Sequence, residues 1–130
     1  MDKKLDISVV VPLYNEAESL PELVEWIGRV ATANRLSYEI IFVDDGSTDE
    51  SWSVIERLKK SNPEIRAISF MRNYGKSAAL YCGFEKACGD VVVTMDADLQ
   101  DPPDLIPEML ASWEKGNLVN LAVRKDREES

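Results

Sequence analysis

Two aspartates one residue apart, Asp96 and Asp98, follow an apolar run, Val91 to Val93, with Gln100 just beyond. Carboxylates at the mouth of a buried strand make a poor core and a good cation site. The strand anchors them and its end exposes them, and hard oxygen donors suit Mg²⁺ or Mn²⁺. A second acidic pair, Asp44 and Asp45, follows another apolar run, Ile40 to Val43. Together they describe a site for an anionic, metal-bound ligand. Plainer roles exist for the neighbours: Asp49 reads as a helix cap, Pro12 and Tyr14 as turn formers, and Asp101 as loop.

The elements that must position these groups are visible as alternating patterns. Strand-like runs fall at Ile7–Val11, Glu39–Val43, Ile65–Phe70, Asp90–Met95 and Leu118–Val123. Between them, apolar residues recur at three-and-four spacing. The first such segment carries Leu20, Leu23, Val24, Ile27, Val30 and Ala31; the second carries Trp52, Ile55 and Leu58. The third carries Ala79, Leu80, Gly83, Phe84 and Ala87; the fourth carries Leu105, Ile106, Met109, Leu110 and Trp113. Pro103 suits the first turn of the fourth helix, and Gly89 and Gly116 sit where helices should stop. Strands alternating with helices predict an α/β fold, a mostly parallel sheet with helices on both faces. The strands read as continuous apolar runs, as doubly buried strands do.

In an open parallel sheet, ligands bind outside the carboxyl ends of the strands. Every unusual polar cluster falls there. Pro12-Leu13-Tyr14-Asn15-Glu16 follows the first strand, and Asp44 to Asp49 follow the second. Arg72-Asn73-Tyr74-Gly75-Lys76 follows the third, Asp96 to Asp101 the fourth, and Arg124-Lys125-Asp126-Arg127 the fifth. Ordinary loop polarity explains one such cluster, not all of them on one edge. Asp44 needs a partner, and the ring and ribose groups of a nucleotide offer donors to it. Lys76 opens a helix, where a cation opposes the dipole, so it also calls for an anionic partner.

Composition narrows the chemistry. The chain has 130 residues, 45% hydrophobic and 30% charged, enough for one ordinary domain. A net charge of −9 argues against nucleic acid as a partner, although a divalent cation can bridge an acidic protein to a phosphate. With no histidine, His-dependent triads and His-liganded zinc are excluded. Cys82 and Cys88 are wrongly spaced for zinc and read as reduced helix residues of a cytoplasmic protein. The charged opening Asp2, Lys3, Lys4 and Asp6 is unlike a secretory leader, and no run approaches the about 20 apolar residues of a spanning helix. A dinucleotide-binding fingerprint is missing after the first strand. Gly75-Lys76-Ser77 imitates the tail of a P-loop, but Phe70 stands where that loop needs glycine.

Val9-Val10-Val11-Pro12-Leu13-Tyr14-Asn15-Glu16, Val43-Asp44-Asp45-Gly46-Ser47-Thr48-Asp49, Arg72-Asn73-Tyr74-Gly75-Lys76 and Asp96-Ala97-Asp98-Leu99-Gln100-Asp101-Pro102-Pro103, in that order, resemble family 2 glycosyltransferases. The nearest likeness is to the polyprenyl-phosphate branch, similar to dolichol-phosphate mannose synthase. The resemblance implies a Rossmann-like GT-A fold and a UDP- or GDP-linked sugar donor. Carried over by position, it implies that Pro12, Tyr14 and Glu16 line the base and ribose pocket. Asp44, with Asp45 beside it, would bind base or ribose, and Lys76 and Ala97 would lie near the donor. Asp96, Asp98 and Gln100 would hold Mg²⁺ or Mn²⁺ against the diphosphate. Arg124 and Arg127 would meet the phosphate of a lipid acceptor.

Members of this family usually continue well past the point where this sequence stops. Residues 1–130 therefore read as the N-terminal donor-binding part of a longer enzyme at the cytoplasmic face of a membrane. The residue that deprotonates or activates the acceptor would lie beyond Ser130, and the isolated chain is expected to be inactive. Other readings are a polysaccharide-building relative, a non-catalytic nucleotide-binding module and a signalling receiver domain. A receiver places its acidic pair after the first strand, where this chain has Asn15-Glu16. A dehalogenase-type phosphatase also places its aspartates after the first strand.

Overall fold

A computed structural model describes residues 5–99, 103, 106 and 107. Seven elements alternate along it: β1 (Leu5–Leu13), α1 (Leu20–Ala33), β2 (Tyr38–Asp44), α2 (Ser51–Ser61), β3 (Ile65–Ser69), α3 (Lys76–Lys86) and β4 (Gly89–Thr94). The strands form one parallel sheet in the order β3-β2-β1-β4. β1 lies at the centre, registered Val9↔Ile40 against β2 and Val9↔Val93 against β4. Its residues Ile7 to Leu13 are all buried, which is why the run shows no alternation.

Period-two geometry divides the strand residues between two layers. Val9, Val11, Ile40, Phe42, Val91 and Val93 pack against Leu20, Leu23, Ile27 and Ile55 from α1 and α2. Val10, Ile41 and Val43 face the other way, onto Ala79 and Leu80 of α3. Helices therefore cover both faces, as the sequence predicts. All six apolar positions expected for α1 are its buried positions.

α3 packs differently from expectation. Its buried residues are Ala79 and Gly83, while Phe84 is 45% exposed. Close packing explains this: a Cβ at Gly83 would stand 2.4 Å from Cγ1 of Val10. The helix approaches the sheet through its smallest residues, and a large apolar side chain has no place in that contact. Gly89 is not a helix stop but the first residue of β4. The chain leaves α3 at Ala87 in extended conformation, with φ −69° and ψ 136°. Gly89 is small because β4 presses on β1, where a Cβ would meet the carbonyl carbon of Ile7 at 2.5 Å. Cys88 likewise lies past the helix, exposed, and both cysteines are free thiols.

The formal cap of α2 is Glu50, yet the carboxylate receiving the Ser51 N–H is that of Asp49, at 2.8 Å. Pro103 is buried in a 3₁₀ turn, and Ile106 adds to the α1–α2 side of the core. The strand expected at 118–123, most of the fourth helix and Gly116 lie outside the described residues. Among the described residues, no helix is long and apolar enough to cross a membrane.

Candidate active site

The strand order reverses between β1 and β4, because β2 continues from one side of β1 while β4 adds to the other. Loops leaving the two strands diverge at such a point and open a crevice. A cleft of about 310 Å³ lies there. From the β1 side come Pro12, Leu13, Tyr14 and Glu16; from the β4 side come Asp96, Ala97 and Asp98; Asp45 and Lys76 complete the lining. Residues distant in sequence and singled out by type thus meet on one wall.

The acidic loop is held from below. Met95 donates its N–H to the Val10 carbonyl at 3.1 Å, extending the ladder by one bond past β4. Ala97 is 3% exposed and belongs to the core beneath, while Asp96 and Asp98, on either side of it, reach the cleft. A larger residue at position 97 would lift the loop off that core. Leu99 then takes φ +68°, a left-handed conformation that a leucine adopts only under constraint from its surroundings.

Lys76, the first residue of α3, places Nζ 2.8 Å from Asp96 Oδ1. The anionic partner demanded by a cation at a helix start is therefore supplied within the protein. Glu16 is half-buried, and its carboxyl is pushed above the ordinary glutamate range. Burial is the main cause, followed by the negative charges of Asp98, Asp49 and Asp96. Carboxylates outnumber cations in this corner, where Lys76 stands among Glu16, Asp96 and Asp98. Among the described residues, no three acidic, histidine or cysteine side chains already form a metal cage.

Asp44 and Asp45 have work within their own loops. Asp44, 2% exposed, accepts the Ser47 N–H at 2.9 Å and is not among the residues that line the cleft. It closes its own turn instead. Asp45, 5% exposed, accepts the N–H groups of Tyr74 at 2.7 Å and Gly75 at 3.0 Å. It thereby fixes the loop that delivers Lys76. Gly75, at φ +106°, provides the bend there. Gly46, at φ +77°, lets this loop touch the preceding one, since a Cβ would fall 2.3 Å from the Arg72 carbonyl carbon. Gln100, Arg124 and Arg127 lie outside the described residues.

Sequence reasoning missed Asn15. Its φ is +53°, and its Oδ1 accepts the N–H groups of Thr48 at 2.8 Å and Asp49 at 3.1 Å. Its own N–H donates to Ser47 Oγ at 2.8 Å. Asn15 therefore ties the β1 loop to the β2 loop between two cleft residues, Tyr14 and Glu16. An asparagine at a strand end, tolerant of left-handed backbone and bearing an amide, was the available signal.

Comparison with known proteins identifies the family. Residues 8–130 match the sequence profile of "Glycosyl transferase family 2". The chain belongs to that family. It is 45% identical over 126 residues to an undecaprenyl-phosphate 4-deoxy-4-formamido-L-arabinose transferase of Pseudomonas fluorescens (strain Pf0-1), covering 95% of this chain and 37% of that protein. It is 40% identical over 123 residues to the bactoprenol glucosyl transferase of Shigella phage SfV, covering 95% of this chain and 40% of that protein. The chain thus spans well under half of these relatives. Among solved structures, the mannosyltransferase PcManGT from Pyrobaculum calidifontis, in complex with GDP-Man and Mn²⁺, superposes with a TM-score of 0.71 at 28% identity. That match covers 83% of this chain and 32% of the other. S. aureus TarS 1–349 with UDP-GlcNAc, at 21% identity, TM-score 0.67 and coverage of 85% of this chain and 32% of that one, shows the fold alone. The fold of this family 2 chain is the GT-A fold.

Proposed function

We propose that this chain is the donor-binding part of an enzyme that moves a sugar from a nucleoside diphosphate to a polyprenyl phosphate, with inversion and with metal assistance. The observation that carries the reading is the convergence of Asp96, Asp98 and Lys76 with Pro12, Tyr14 and Glu16 in one cleft. Two relatives named as undecaprenyl-phosphate and bactoprenol sugar transferases favour a lipid-phosphate acceptor over a growing polysaccharide. The acidic pair follows β4 and not β1, which disfavours the receiver reading. The whole protein would then work at the cytoplasmic face of a membrane, with residues 1–130 as its N-terminal part. Its acceptor-activating residue would come from outside this chain.

Pro12 and Tyr14 provide the apolar wall for a base, and Glu16 accepts from base or ribose hydroxyls. Asp96 and Asp98 would hold Mg²⁺ or Mn²⁺, and Gln100 would be a further ligand. The ion supplies positive charge where the leaving diphosphate gains negative charge. Lys76, which pairs with Asp96 in the same cleft, would turn from that carboxylate to the phosphates. Asp45 and Gly75 keep the start of α3 in place, so its ammonium group needs only side-chain rotation. Neither a GDP-linked nor a UDP-linked donor is singled out by these groups.

Titration calorimetry tests the reading. Mn²⁺ should bind weakly alone and at least tenfold more tightly with GDP or UDP, since phosphate oxygens complete its shell. Asp98→Asn should abolish that gain while the folded state persists by circular dichroism. Equal Mn²⁺ affinity with and without nucleotide, or an Asp98→Asn variant that binds like the parent, would contradict it.

A further inference from the structure

Ser19 occupies the N-cap position of α1, where a serine oxygen ordinarily accepts an N–H from the first turn. Here it makes no such bond. Its hydroxyl donates across the fold to the main-chain oxygen of Ala97. A longer contact reaches the Glu16 carbonyl at 3.3 Å. A hydroxyl has one proton to give, and the Ala97 oxygen is the nearer acceptor. Ser19 itself has right-handed helical backbone, φ −88° and ψ −12°, and its hydroxyl holds the peptide between Ala97 and Asp98.

That peptide is a strategic one. Its plane sets the direction in which Asp98 leaves the main chain. The Ala97 side chain is buried in the core, and Leu99, with left-handed backbone, packs against that same core. The serine bond is the polar third of these constraints and the one contributed by a distant element. Hydrogen bonds that orient the groups around a metal ligand raise its affinity, because the ligand loses less freedom on binding.

We propose that Ser19 is a positioning residue for the cation corner. By fixing the Ala97–Asp98 peptide from α1, it presents the carboxylates of Asp96 and Asp98 as a ready pair to a divalent cation carrying a nucleoside diphosphate. This rests on the proposed donor-binding function.

The test is calorimetric titration of GDP and UDP into the parent, Ser19→Ala, Ser19→Cys and Ser19→Thr, each with Mn²⁺ and with EDTA. Ser19→Ala should weaken binding about tenfold in the Mn²⁺ arm and leave the EDTA arm unchanged. Ser19→Cys, which keeps the volume but donates poorly, should behave the same way and carries the test if the alanine variant does not fold. Ser19→Thr keeps the hydroxyl and should restore parental affinity. An equal loss in both arms would mean general loosening and would overturn the role, as would alanine and cysteine variants that bind like the parent. A parent that binds neither nucleotide with Mn²⁺ would overturn the donor-binding function and this role together. A binding parent with indifferent variants would overturn only the role of Ser19.

Discussion

At the scale of single residues, Lys76 and Asn15 show how the cleft is poised. Lys76 neutralises Asp96 across 2.8 Å, so it competes with any metal for that carboxylate. Exposed pairs of this kind are worth up to about 1 kcal/mol. Lys76→Met should therefore tighten binding of Mn²⁺ alone by roughly twofold to fivefold, yet weaken nucleotide binding in the presence of Mn²⁺. Calorimetry reads both, and a variant weaker in both would mean that the pair supports the corner instead of competing for it. Asn15 combines a left-handed backbone with an amide that accepts two N–H groups of the neighbouring loop. Asn15→Ala loses both features and should cost about 1–2 kcal/mol in urea melts. Asn15→Gly regains the backbone conformation, and Asn15→Asp regains the acceptor as well, so stability should rise in the order Ala, Gly, Asp. The reverse order would show that the amide contributes nothing.

At the scale of elements, the end of the sheet away from the cleft is organised by Glu39. It is 4% exposed, on β2, and ties three other segments together. Its Oε2 accepts from Ser8 Oγ at 2.6 Å and from the Cys88 N–H at 2.7 Å, and its Oε1 accepts from Arg66 Nη1 at 2.8 Å. Burial alone would push the carboxyl up, but the bonds from Ser8, Arg66 and Cys88 outweigh it and hold the group below the ordinary glutamate range. A carboxyl depressed in the folded state adds stability that is complete above its unfolded value. That stability is lost as pH falls through the folded value. Thermal midpoints should therefore drop on the acid side of the ordinary glutamate value. Glu39→Gln should flatten that acid limb and cost about 1–3 kcal/mol at neutral pH. An unchanged acid limb would assign the dependence to other carboxylates. None of this network was legible in the sequence, where Glu39 simply opened an apolar run. Long-range partners such as Ser8, Arg66 and Cys88 leave no local pattern. α1, in contrast, was readable to the residue because its large apolar side chains repeat with the helix. α3 was half-readable: Ala79 and Gly83 serve as its contact face only because Val10 lies against them. That relation exists only after the sheet has formed.

At the scale of the whole molecule, the sequence announces that polar clusters share one edge but not which loops are neighbours. The order β3-β2-β1-β4 decides that, by setting the β1 and β4 loops side by side. Eight of the predicted donor and metal residues line the resulting cleft, and Asp44 does not. A buried acid needs donors, and the turn that follows Asp44 provides one, the Ser47 N–H. The central claim is that the two aspartates after β4 grip a cation that carries a nucleoside diphosphate. Anomalous diffraction from crystals soaked with Mn²⁺ and either GDP or UDP tests it most directly. The account predicts a manganese peak at the carboxylates of Asp96 and Asp98, with the nucleotide lying against Pro12 and Tyr14. A bound nucleotide with no manganese at that corner, or manganese bound elsewhere, would contradict it.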